Sequence, residues 1–112
     1  MNIRYYETII IFTPLLSEKQ IISTYNEYKE YLLHKNIEII KVEIWGLQKL
    51  AYSIKKVKNG YFYLLVYKTK TKFIKIFNVK ILQDDRIIRY LTVKLNKYAI
   101  EYLNKKKDYE KK

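Results

Sequence analysis

The chain has 112 residues, of which 49% are apolar and 30% charged; that is enough to build and clothe one modest core, and too hydrophobic for a wholly disordered chain. Its 23 Lys and Arg outnumber its 11 Asp and Glu, for a formal charge of +12, which makes nucleic acid the leading partner class, ahead of a membrane surface or an acidic protein. Without cysteine there is no disulfide framework and no thiolate metal site, and no apolar run approaches the ~20 residues of a membrane span.

The opening Met1-Asn2-Ile3-Arg4 shows no signal-peptide succession, so a reducing cytoplasm is expected. Arg4 to Phe12 has the Tyr, Ile and Thr content of a strand, and Pro14 ends it because proline cannot donate to a ladder. Ser17 with Gln20 has capping-box spacing, and Ile21, Tyr25, Tyr28 and Leu32 then mark one face of a helix over about 17–35. Ile37 to Ile54 is rich in strand formers, with Gly46 marking a bulge or a close backbone approach. Lys55 to Gly60 reads as a turn, with Asn59-Gly60 as the hairpin signal, and Tyr61 to Tyr67 as a central strand.

Thr69 or Thr71 is expected to cap a second helix, with Phe73, Ile76, Phe77 and Ile81 as its apolar face and Gln83-Asp84-Asp85 as its end. Arg86 to Leu95 is the last strand. The order is βαββαβ, an α+β, ferredoxin-like pattern: a four-stranded antiparallel sheet with two helices on one face. Residues 1–95 form this domain; residues 96–112 are a basic extension, expected as a frayed helix or a disordered tail. The second strand should lie at a sheet edge, and an exposed edge beside an uncovered face suits a protein partner.

Catalytic chemistry finds little material. His34 is the only histidine and reads as solvated; no second His or Cys completes a metal set. Gly46 and Gly60 are isolated, so no glycine-rich loop wraps a phosphate. Asp84-Asp85 reads as turn chemistry rather than a paired-carboxylate site, and Ser17 and Ser53 lack a partner base. No enzyme activity and no cofactor are expected.

The charge is unevenly placed. Residues 1–56 hold 8 basic and 6 acidic groups, and residues 57–112 hold 15 and 5. Codon bias toward Lys would spread evenly, whereas asymmetry suits a binding surface. The clusters are Lys55, Lys56 and Lys58 in the hairpin, Arg86 and Arg89 at the last strand, and Lys105, Lys106, Lys107, Lys111 and Lys112 in the tail. Lysine releases counterions from phosphate; the three arginines, Arg4, Arg86 and Arg89, add a fork that grips phosphate in two places. Tyr5 and Tyr6 beside Arg4 mix aromatic and basic groups, as stacking on unpaired bases requires. Gly60-Tyr61-Phe62-Tyr63 only echoes the RNA-recognition signature. The competing reading is a protein-interaction module whose charge reflects genome composition.

Several stretches together carry a resemblance: Arg4-Tyr5-Tyr6-Glu7 with Pro14, then Val42-Glu43-Ile44-Trp45-Gly46-Leu47-Gln48-Lys49-Leu50-Ala51-Tyr52-Ser53-Ile54, Gly60-Tyr61-Phe62, and Asp85-Arg86-Ile87-Ile88-Arg89-Tyr90-Leu91-Thr92-Val93-Lys94. Over about residues 4–95 the chain resembles the bacterial small-subunit ribosomal protein S-six (S6) family. The resemblance implies a ferredoxin-like fold and a place in the small ribosomal subunit, binding the central domain of its ribosomal RNA together with ribosomal protein S-eighteen (S18). By similarity, Arg4, Tyr6 and Arg89 sit near RNA. The expected RNA contacts are therefore Arg4, Tyr6, Lys49, Lys55, Lys56, Lys58, Arg86, Arg89 and Lys94.

Overall fold

The structure, a computed structural model, describes residues 3–54, 56–96 and 101. Six elements follow in chain order: β1 (Ile3–Phe12), α1 (Glu18–His34), β2 (Glu38–Ile54), β3 (Val57–Lys70), α2 (Thr71–Leu82) and β4 (Ile87–Lys94). The strands form one antiparallel sheet in the order β2-β3-β1-β4, so the most apolar strands are central and β2 lies at an edge, as expected.

Side-chain alternation divides β1 between two faces. Tyr6, Thr8, Ile10 and Phe12 point to the helices and are buried. Tyr63, Leu65 and Tyr67 of β3 share that face, and α1 meets them with Ile21, Tyr25, Tyr28 and Leu32. Serine caps α1: the Ser17 hydroxyl accepts from the Gln20 amide at 3.2 Å, and the Gln20 side chain accepts from the Ser17 amide at 2.8 Å. Aromatic rings dominate this core, with Tyr25 and Tyr63 stacked at 4.6 Å between centroids. Their phenols are tied into the structure where partners exist: the Tyr63 hydroxyl donates to the Tyr25 carbonyl at 3.1 Å, and the Tyr67 hydroxyl pairs with Thr8 Oγ1 at 2.8 Å. Burial pushes both phenols up to about 12, so they stay neutral hydrogen-bonding groups.

Three local expectations change. The β2–β3 connection is the two residues 55–56, because Ile54 already pairs with Val57 and Lys56 has φ +66°. Asn59 and Gly60 lie inside β3, opposite Lys49 and Gln48. Gly60 is required there for another reason: a Cβ would overlap the Ile11 side chain on β1. The bulge at Gly46 is present, at the register shift between Ile44 and Gly46, with φ +74°. Neither Thr69 nor Thr71 caps α2; Lys70 is its N-cap and makes no side-chain cap bond, while Thr71 accepts a hydrogen bond from the Tyr6 hydroxyl at 3.2 Å. On α2, Phe73, Phe77 and Ile81 are buried but Ile76 is 55% exposed, and Ile74 packs on the core instead. The tail lysines expected at 105–107 and 111–112 lie outside the described residues.

Candidate nucleic-acid interface

Strand pairing places the expected contacts at two ends of the sheet. Arg4 pairs with Thr69 and Lys94 with Tyr6, at the end where β1 begins. Arg89 pairs with Ile11, seven residues further along β1, which is about 23 Å at strand rise. Beyond the last β1–β3 pair, Phe12 with Tyr61, β2 and β3 continue as a two-stranded arm that carries Lys49, Lys56 and Lys58. Arg89 and the arm therefore share an end, and Arg4 and Lys94 share the other. Lys55 lies outside the described residues.

Lys49, Lys56, Lys58, Arg89, Arg4 and Lys94 are all exposed, and within the described residues none forms an ion pair. A cation without an internal partner keeps its full charge available to phosphate.

Two expected contacts have other surroundings. Tyr6 is 5% exposed, on the helix-facing side, with its ring 6.1 Å from that of Tyr67. Its neighbour Tyr5 faces the open side of the sheet, with the Lys68 ammonium 5.5 Å above its ring. Arg86 is held inward. Its Nε and one terminal nitrogen donate to the two Asp84 carboxylate oxygens at 2.9 and 2.7 Å, that same nitrogen reaches Glu27 at 2.6 Å, and the other reaches Thr24 Oγ1 at 3.2 Å. Hydrogen bonds donated to Asp84, against the cost of burial, and then to Glu27 push the guanidinium further up. Burial would raise the Asp84 carboxyl, but hydrogen bonds from Arg86 and from Tyr28, whose hydroxyl donates at 2.7 Å, hold it at about 2. This cluster clamps α1 to the turn before β4. All three of its guanidinium nitrogens already have acceptors within the protein.

The sheet face opposite the helices has no covering element among the described residues. Trp45 of β2 stacks on Phe62 of β3 at 6.0 Å and 17°, and donates through Nε1 to Glu43 at 2.8 Å. Leu91 and Val93 of β4 are 60% and 40% exposed there. Sequence reasoning missed Tyr5, Lys68, Trp45 and Phe62 as one surface. A strict count of two along each strand would have separated Tyr5 from Tyr6, but joining β2 to β3 needed their register.

Comparison with known proteins places this arrangement. The profile of the family described as "Ribosomal protein S6" matches residues 5–94. "Small ribosomal subunit protein bS6" of Christiangramia forsetii is 40% identical over 102 residues, 91% of each chain. The protein of the same name from Phocaeicola vulgatus is 40% identical over 103 residues, 92% of this chain and 90% of that one. The crystal structure of 30S ribosomal protein S6 from Thermotoga maritima superposes with a TM-score of 0.79, covering 99% of this chain and 100% of that one at 23% identity.

Proposed function

The chain belongs to the ribosomal protein S6 family, and from that premise we propose that it binds small-subunit ribosomal RNA through its exposed cations, beside ribosomal protein S18. It is a structural protein of the small ribosomal subunit, at work in the cytoplasm as part of an RNA–protein complex, and not an enzyme. The observation that carries the RNA reading is the β2–β3 arm. Lys49, Lys56 and Lys58 lie beyond the last β1–β3 pair and form no ion pair among the described residues, and Arg89 lies at the same end. An arm of this kind reaches along a phosphate backbone with point charges that need little precise geometry. The central domain of the RNA is the expected target, and Arg4, Lys94 and the arm are the expected phosphate contacts.

A protein neighbour is supported by different features: the open sheet face with Trp45, Leu91 and Val93, and the outer edges of β2 and β4, which pair with no strand among the described residues. S18 is assigned to that side as the partner.

Affinity for small-subunit ribosomal RNA, measured across a salt series with and without S18, tests the reading. The Lys49→Ala, Lys56→Ala, Lys58→Ala triple variant should bind more weakly and lower the slope of log affinity against log salt by about 2–3. Wild-type binding that ignores salt, or a triple variant with an unchanged slope, rejects it.

A further inference from the structure

We propose that the end of the sheet opposite the arm holds a second RNA contact, a cleft that takes one unpaired nucleotide with its phosphate on lysines and its base on an apolar floor. This rests on the RNA-binding reading above and adds a site to it. The cleft, of about 520 Å³, forms where the end of α1, the start of β2, the end of β3 and the start of α2 converge. Its volume lies within the roughly 300–1,000 Å³ usual for small-molecule sites.

Its floor is apolar. Ile37 and Phe73, 5% and 9% exposed, are part of the core. Ile3 and Ile76 also line it, yet are 43% and 55% exposed. A planar base laid against these groups removes apolar surface from water.

Its rim is basic. Lys35, Lys70 and Lys72 line the cleft, are exposed, and form no ion pair within the described residues; Glu38 is the one carboxylate among the lining side chains. Lys35 is placed by the turn after α1, where Asn36 adopts φ +58° and the Ile37 amide returns to the Leu32 carbonyl at 3.1 Å. The first turn of α2 opens at the same place with no side-chain cap, so its amides add to a positive potential the lysines already set up. Arg4, opposite Thr69 of the lining, gives the adjoining phosphate a next cation.

Rim and floor together select the ligand class. Bare phosphate has no use for the isoleucines, and an apolar ligand has none for the lysines. A duplex cannot enter a concavity of this size, whereas one base turned out of a loop or bulge can.

Uridine 5′-monophosphate titrated into the full chain, followed by amide NMR shifts, probes the cleft directly, with inorganic phosphate as the parallel arm. The mononucleotide should move the amides of residues 35–38 and 69–73 saturably, and phosphate should move them less. In ribosomal RNA binding, Ile76→Ser and the Lys70→Ala, Lys72→Ala pair should each weaken affinity roughly tenfold. Ile76 is exposed enough for the serine variant to fold. Equal shifts with phosphate, or shifts elsewhere, overturn the base site. Unchanged affinity in these variants, alongside loss in the arm variant, overturns the cleft and leaves the RNA reading standing. No binding of ribosomal RNA by the wild type overturns both.

Discussion

Asp84 shows what one carboxylate can do for a fold. It accepts from two nitrogens of the Arg86 guanidinium, from the Arg86 amide at 3.0 Å and from the Tyr28 hydroxyl, and so ties α1 to the α2–β4 turn. Its carboxyl sits at about 2, below its ordinary 3.8. A depressed acid contributes stability that is complete above its unfolded value and lost as pH falls through its folded one. Urea unfolding from pH 5 to pH 2 should therefore show a steeper loss in the wild type than in Asp84→Asn, with Asp84→Asn less stable by about 2 kcal/mol at neutral pH. Parallel pH curves for the two proteins would deny Asp84 this role. The two glycines work differently from one another. Gly46 supplies a positive φ with open space around it, whereas Gly60 supplies room beside Ile11.

At the scale of elements, the two helices begin in opposite ways. The N-terminus of α1 is closed by the reciprocal Ser17–Gln20 bonds, which satisfy two amide donors. α2 has no such cap and is held by Phe73, Phe77 and Ile81 beneath it. Ser17→Ala should cost about 1 kcal/mol of stability in chemical denaturation; a change within error would mean that core packing alone holds α1. The β2–β3 arm contrasts with both helices. Past Phe12 and Tyr61 its strands pair only with each other among the described residues, and a two-stranded ribbon gains little from burial. Such an element suits contact with a second molecule better than it suits support of the core.

At the scale of the molecule, the sheet acts as a ruler between two cationic ends. Arg4 and Arg89 are separated by seven residues of β1, about 23 Å, and share no partner among the described residues. Energetic effects at that range add. In ribosomal RNA binding, the Arg4→Ala, Arg89→Ala double variant should lose the sum of the two single losses to within about 0.5 kcal/mol. A coupling well above that would mean that both arginines serve one contact, with the RNA or the protein deformed to join them.

The elements, their order and the sheet-facing side of α1 were legible in the residues, because capping and periodicity of 3.6 or 2 are local properties that a chain writes along itself. The Ser17–Gln20 box and the stripe Ile21, Tyr25, Tyr28, Leu32 appear as read. The resemblance carried by Trp45-Gly46-Leu47 and the last strand likewise belonged to the sequence, and the family match agrees with it. Tertiary structure alone decided what register and ion pairing control. It shortened the expected Lys55–Gly60 turn to the link between Ile54 and Val57 and set Gly60 inside β3, where Ile11 on another strand is what demands a glycine. It turned Arg86 inward, since Asp84, Glu27 and Thr24 meet there from separate elements. It also gathered Lys35, Lys70 and Lys72 around one cleft. Charge is a property of composition, but whether a cation is neutralised inside or offered outside depends on which distant residues the fold brings beside it.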